Sequence, residues 1–387
     1  MGNKKEMMLV FNIGSSSVEG ALFFAQKSGV PEIIFTVKEP IILENEITTT
    51  RFLSLTMQAL DIVAHKIFAA GFGTPKEIFC VLSSPWHVSQ TRIINFKKNT
   101  PFLFTAKLAE SLVQKEINLF EEEHSSKTIN LDAPNRTIEF KNLKTTLNGY
   151  ETREPINKKI NELEMNIFIS MGEEKVLKKI ENTIGKYFNF QQIRFSSFSL
   201  ASFAVVRDMN ILKENFILLD VGGEMTNITM VKNNILRESS SFPLGRNFLV
   251  RGVADQLKCN LHEANSLISL FKDGHAEKSI AQKISFVLEE LKGKWLKSFE
   301  ESLTNLSADI SIPSTIYLTT DKDLADFFCQ AIKAEQFNQY TLAESKFEVI
   351  FLGSPVFHGI ALFKESATRE PSLTIDSIYI NRFLIKI

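Results

Sequence analysis

Two segments about two hundred residues apart constrain this chain more than anything else in it. The first is LVFNIGSSSVEGALFF, Leu9 to Phe24, and the second is FILLDVGGEMTNITMV, Phe216 to Val231. Each reads as an apolar strand, a tight turn of glycine and small hydroxyl residues, and a second, alternating strand. A single turn of this kind is usually just a hairpin. Two that face each other can hold a phosphate chain. Successive backbone N–H groups in such a turn form an anion-binding nest, and glycine lets a ligand approach the backbone closely. The first turn offers Gly14, Ser15, Ser16 and Ser17, with Asn12 near the end of its strand; the second offers Gly222, Gly223 and the Thr226 hydroxyl. Asp220 ends the second apolar strand, where a carboxylate can hold a magnesium ion through water. The pair predicts a duplicated α/β core with a phosphate cleft between its halves.

The chain has 387 residues, enough for two or three structural units with ample core. Lys and Arg number 44 against 45 Asp and Glu, a balance that argues against nucleic-acid binding by bulk charge. Cys80, Cys259 and Cys329 lie far apart in apolar stretches, which reads as buried thiols in a reducing cytosol. The opening MGNKKEMMLVFNIG goes from a short basic start directly into a strand and does not read as a signal peptide. No run of about 18 apolar residues suggests a bilayer-spanning helix.

After the first hairpin, a strand around Ile33–Val37 extends the sheet, and Arg51–Gly71 has helical spacing. EIFCVLSS, Glu77–Ser84, is a buried strand. A different texture follows: an alternating strand in SQTRIINFKK, a helix over Thr105–His124 with Thr105 as N-cap, and strands at Thr128–Leu131 and Thr137–Leu143. NELEMNIFISMG then runs back into the main body, and Glu173–Phe188 is an amphipathic helix. Beyond the second hairpin, helices are expected over Phe248–Leu257, His262–Phe271, Lys278–Leu306 and Leu324–Ala334, with strands at Thr315–Thr320 and from Phe347, and a short helix in VFHGIALF. The expected division is 1–84 plus 162–212 for the first domain, 85–161 for an inserted α+β subdomain, and 213–387 for the second domain, its helical part over about 248–312.

The hairpin pair resembles that of the actin-like ATPase superfamily, and the inserted segment containing LNGYETREPI is similar to that of the FtsA family and its relative PilM. SLASFAVVRD, Ser199–Asp208, and SFPLGRNFLVRGVADQL, Ser241–Leu257, fall where those proteins carry comparable segments, so the resemblance runs along nearly the whole chain in order. It implies an actin-like (ribonuclease H-like) duplicated two-domain α/β fold with an inserted α+β subdomain. It implies ATP and magnesium as ligands. It also implies a cytoplasmic scaffold at the inner face of a membrane, in cell division or type IV pilus assembly. The inserted subdomain would contact division-ring or pilus-assembly proteins, or further copies of the chain. Membrane association would be indirect, and nucleic acid is not expected. No Walker P-loop and no GxGxxG is present, so the other common nucleotide folds lose.

Several positions depart from the superfamily pattern. Asn12 stands where an Asp is usual, removing a charge that would help hold magnesium. Phe198 or Ser199 falls at the water-orienting position, and neither is a useful base. The second turn reads DVGGEMTN, with Glu224 for a Gly and Asn227 for an Asp; a carboxylate in a phosphate nest repels the ligand unless it points outward. On the adenosine side, Asn265 and Ile268 replace a Glu and a Lys, and Thr319, Thr320 and Asp321 replace a glycine-rich turn. Asn265, Thr319 and Thr320 are the adenosine-side candidates that are left. Together the departures predict a cleft in which ATP and magnesium bind weakly or not at all and turnover is weak or absent, with no catalytic residue assigned. The alternative is an active ATPase whose assembly follows its nucleotide state. A sugar or acetate kinase of the same superfamily fits the inserted lobe poorly.

The other chemistry-bearing residues have plain structural readings. None of His65, His87, His124, His262, His275 and His358 stands at a zinc-ligand spacing. Ser83-Ser84 and Ser196-Ser197 lack a GxSxG frame. The tail SIYINRFLIKI has few cations and no linker before it, which favours a docked strand or packed tail over a membrane-lying helix.

Overall fold

The computed structural model describes residues 6–125, 134–210, 212–306, 312–334 and 346–385. The first half begins with β1 (Glu6–Ile13), β2 (Ser17–Ala25) and β3 (Glu32–Pro40), then α1 (Thr49–Ala69) and β4 (Glu77–Leu82). The inserted subdomain contains β5 (Val88–Phe104), α2 (Ala106–Ser125), β6 (Asn135–Leu147), β7 (Tyr150–Glu151) and β8 (Lys158–Glu173). The chain continues with α3 (Glu174–Gly185), β9 (Ile193–Ser197) and α4 (Phe198–Met209). The second half carries β10 (Phe216–Val221), β11 (Thr226–Lys232), β12 (Ile235–Phe242), α5 (Arg246–Leu257), α6 (Leu261–Lys272) and α7 (Lys278–Leu306). It ends with β13 (Thr315–Thr320), α8 (Ala325–Ala334), β14 (Glu348–Phe351), β15 (Leu362–Phe363) and α9 (Pro371–Tyr379).

Two similar sheets form the body, in the orders β15-β3-β2-β1-β4-β9 and β12-β11-β10-β13-β14. In each, the hairpin pairs antiparallel and its first strand also pairs parallel with a later one, β1 with β4 and β10 with β13. Both turns therefore sit at the carboxyl ends of central parallel strands, the usual ligand crevice of an α/β sheet. Helix α1 begins at Thr48, whose hydroxyl accepts from the Arg51 N–H at 3.2 Å, and buries Phe52, Leu55, Ala59, Leu60, Val63 and Ile67. By length and composition α1 alone, among the described residues, is apolar enough to cross a bilayer, but half of that stretch is buried in the protein. The expectation of no such run is corrected to that extent: the face that packs on the sheet supplies the apolar content.

Helices α4 and α9 lie between the two sheets. Phe198, Phe203 and Val206 of α4 and Leu373, Ile375 and Ile378 of α9 share one core with Met8, Val10 and Phe79 of the first sheet and Phe216, Leu218 and Tyr317 of the second. The expected division places residues 362–384 in the second domain, yet β15 pairs with β3 in the first sheet. Of the two expected states of the tail, docked strand or packed tail, the structure shows a packed one, with α9 held between the sheets as a helix. Pro371 starts the helix at its first turn, where the missing N–H costs nothing. VFHGIALF is a series of turns ending in β15, not a helix.

The insert is a sheet in the order β5-β8-β6-β7 with α2 on one face, its Thr105 hydroxyl accepting from the Leu108 N–H. Strand β8 pairs with β5 and β6 as far as Met171 and Glu173, so the insert extends past residue 161: a strand with two neighbours belongs to their sheet. The expected strand Thr128–Leu131 lies outside the described residues. The opposite face reaches the second half, where Arg237 of β12 donates to Asn166 Oδ1 at 3.2 Å.

Candidate functional site

The two turns meet. A Cβ built on Gly223 would lie 2.3 Å from the Ser15 carbonyl oxygen and 2.6 Å from the Ser16 nitrogen. The Glu224 N–H donates to Ser15 Oγ at 3.1 Å. Behind the second turn, a Cβ on Gly245 would lie 2.4 Å from the Gly223 oxygen, because the Arg246 and Asn247 N–H groups at the start of α5 donate to Gly222 and Gly223. The Gly14 and Gly222 N–H groups close their own hairpins onto Ser17 and Met225. Several donors a phosphate would use are thus spent inside the protein.

One small cavity is left beside this contact, of about 60 Å³. It is lined by Asn12, Gly14, Ser15, Ser16, Ser17, Asp220, Gly222, Thr319 and Thr320, together with Glu19, Lys38, Phe198, Asp321 and Glu370. Ligand pockets usually measure roughly 300–1,000 Å³, and one water needs roughly 10–15 Å³. The space takes a few waters.

Two cations at the cleft, Lys38 and Arg246, are already paired with carboxylates. Lys38 Nζ lies 2.9 Å from Glu19, 2.8 Å from Asp321 and 3.1 Å from Glu370. Against burial, which would lower it, these three carboxylates raise the Lys38 pKa well above its ordinary value. Arg246 holds the other Asp321 oxygen at 2.8 Å and donates to Asn265 Oδ1 at 3.1 Å. Burial works against ionisation of Asp321, but Lys38 and Arg246 hold its carboxyl below the usual range.

Asn12 has a specific partner: its amide donates to Asp376 Oδ2 of α9 at 2.8 Å. Asp376 is wholly buried. Burial, with Glu19 and Asp220 nearby, raises its pKa well above the carboxylate range, although the Asn12 bond pulls the other way. Asp220 is pushed up to about 7 by burial and by Asp321, opposed by Asn227. No group of three or more His, Cys, Asp or Glu side chains placed to hold a metal occurs among the described residues.

Not every predicted residue faces the cleft. Thr226 is turned away: its hydroxyl donates to the Leu244 carbonyl at 2.7 Å and accepts from the Trp295 indole at 3.1 Å, so its assignment to phosphate is corrected. Gly223 is covered by the first turn rather than open to a ligand. Asn265 reaches the cleft rim only through Arg246, and Ile268 is in the second-domain core. Glu224 points outward, accepting from both Arg251 guanidinium ends at 2.7 and 2.8 Å and from Asn247. Lys38, Glu19, Arg246, Glu370 and Asp376 were not singled out in the sequence. A signal for two of them was present: Glu19 and Lys38 are charged residues in apolar strands, and they stand opposite each other in the β2–β3 register.

The fold this geometry builds is the duplicated actin-like one. No protein-family model matches the sequence, and no curated protein is similar to it. Among solved structures, a chain of a PilM-PilN type IV pilus biogenesis complex is similar over 98% of this chain and 96% of its own, with a TM-score of 0.59 and 12% identity. The ethanolamine utilization protein EutJ from Carboxydothermus hydrogenoformans is similar over 99% of this chain and 91% of its own, with a TM-score of 0.43 and 10% identity. A Bacteroides thetaiotaomicron protein with an actin-like ATPase fold and unknown function is similar over 97% of this chain and 96% of its own, at 10% identity and a TM-score of 0.40. The chain has the actin-like ATPase fold in its PilM-like form.

Proposed function

We propose that this protein is a cytoplasmic actin-like scaffold that works at the inner face of a membrane through protein contacts, in type IV pilus assembly or cell division, with no useful ATP turnover. One observation carries the second part: the two phosphate turns touch, and the cavity beside them, about 60 Å³, is lined by paired charges. Lys38, the lysine lining the cavity, is already engaged by Glu19, Asp321 and Glu370 rather than held ready for a phosphate. Likeness to a chain of a PilM-PilN complex supports partner binding in pilus assembly over cell division.

The inserted subdomain supports the first part. A groove of about 410 Å³ runs between β6 and β9, lined by Arg136–Lys141, Gln192–Ser196, Tyr379 and Leu384. Strand β9 is a sheet edge, and β7 covers only the end of β6 at Thr146 and Leu147. Partners are expected there, with self-association as a second use of the same lobe and the membrane reached through them.

The competing reading, an ATPase whose assembly follows its nucleotide, is favoured by the serine and glycine turns that still line the cleft beside Asp220. Isothermal titration of ATP with and without magnesium, beside Asp220→Ala, separates the two. No heat at millimolar nucleotide is expected. Micromolar binding that the variant loses would sink the scaffold reading in favour of the ATPase.

A further inference from the structure

Strand β6 of the insert breaks the usual pattern at one point. Glu139 is 9% exposed while Phe140, next to it, is 39% exposed, so the carboxylate is buried and the ring faces out. The register against β8 shifts between Thr137 and Glu139, which marks a bulge, and bulges re-aim side chains. Ile138, inside the bulge, packs on the core of the first half. Local rules broken in this way are expected at positions kept for a function.

The buried carboxylate is held from outside the insert. The Ser197 N–H and Oγ both donate to Glu139 Oε2 at 3.0 Å, and the Tyr379 hydroxyl donates to Oε1 at 2.7 Å. Ser197 is the N-cap of α4, so the carboxylate also meets the positive end of that 12-residue helix. Burial pushes the Glu139 pKa up, while Tyr379, Ser197 and Ser196 pull it back. The two oxygens thus lead to two helices that both reach the cleft. Phe198, the residue after Ser197, lines the cavity beside the turns, and so do Pro371 and Ser372 at the start of α9. Along α9, Ser372 donates to Glu19, Asp376 accepts from Asn12, and Tyr379 donates to Glu139. Spacings of four and three residues put these three side chains on one face of the helix.

We propose that Glu139 is a latch that couples the insert to the cleft. Engaged, it fixes the start of α4 and the far end of α9. Withdrawn with β6, it frees both, and with them the cleft contacts at Phe198, Asn12 and Glu19. Withdrawal leaves a buried N–H and a buried hydroxyl without an acceptor, so the latch is either seated or open to water and has no stable halfway position. Glu139, Ser196 and Tyr379 line the groove between β6 and β9, so an occupant of that groove acts on the latch directly. That last step alone rests on the groove as the partner site.

The test is hydrogen exchange of the full chain, read by mass spectrometry, with no nucleotide or partner present. Glu139→Leu removes the acceptor and keeps an apolar side chain. Exchange should rise roughly tenfold or more in residues 197–203 of α4 and 371–380 of α9, with α7 unchanged as the reference. Glu139→Gln should stay near the wild type, because its oxygen can accept from Ser197 while its amide donates to the Tyr379 oxygen. Tyr379→Phe cuts one arm, so exchange should rise in α9 and not in α4. That variant keeps the test decisive even if Glu139→Leu does not fold. A rise confined to β6 and β9, a uniform rise that includes α7, or no rise in α9 on Tyr379→Phe would overturn the proposal. The ATP titration is independent of these readings. Tight nucleotide binding would end the scaffold reading and leave the latch standing, and unchanged exchange would do the reverse.

Discussion

Gly223→Ala tests most directly whether the two turns touch. The added methyl would lie 2.3 Å from the Ser15 oxygen, 2.5 Å from the Ser15 carbonyl carbon and 2.6 Å from the Ser16 nitrogen. These distances are roughly 1 Å inside van der Waals contact, and every atom met is backbone, which cannot rotate away. Overpacking of this kind costs about 1–3 kcal/mol, occasionally more. Separating the turns also stretches the Glu224 N–H to Ser15 Oγ bond, a loss of about 1 kcal/mol. The substitution stiffens the unfolded chain, which returns about 0.4–1 kcal/mol. The net expectation is destabilisation by about 1–3 kcal/mol, read as a lower denaturant midpoint with unchanged slope. Gly293→Ala is the control. It lies inside α7 with nothing within 4 Å of its Cβ position, and should stabilise by about 0.5–1 kcal/mol. If Gly223→Ala proves as stable as the wild type while Gly293→Ala gains, the turns stand apart in solution and the contact argument fails.

Two further substitutions read the buried carboxyls. Asn12→Asp restores the usual carboxylate but sets it against Asp376, now 2.8 Å from the amide, so it should destabilise by a few kcal/mol at pH 8 and less at pH 5. Asp376→Asn in the same chain should recover most of that loss, and a double-mutant cycle with no coupling would refute the pairing. Asp220→Asn concerns the carboxyl pushed up to about 7 from 3.8. The folded protein keeps a proton there that the unfolded chain releases, so this group's contribution is full below about pH 4 and is lost as pH rises through 7. The variant should therefore gain on the wild type between pH 4 and 8, and a stability difference flat across that range would contradict the shift.

How much of this was legible in the sequence depends on the distance over which each residue finds its partner. The hairpins could be read because strand, turn and strand are local: Phe216 pairs with Val231 and Glu6 with Ala25, all within one short segment. Helices α1, α3 and α7 were legible for the same reason, each with an apolar face at helical spacing. The tail could be read as packed but not as helical, because SIYINRF is mostly apolar without a clear period. Such a segment does not reveal its period when both faces are covered, and α9 is covered by both sheets. The cleft shows the same limit more sharply. Asn12 seen alone is a lost charge. Seen beside Asp376, 364 positions away, it is the donor that lets a buried carboxyl sit there at all. Glu224 seen alone is a carboxylate in a phosphate nest. In the fold it turns out to Arg251, whose guanidinium also donates to the Glu44 carbonyl of the first half at 3.0 Å. Read along the chain, Asn12 and Glu224 count as losses. Read across the cleft, both belong to the contacts that hold its walls together. In the fold each has a defined partner, Asp376 on α9 for Asn12 and Arg251 on α5 for Glu224.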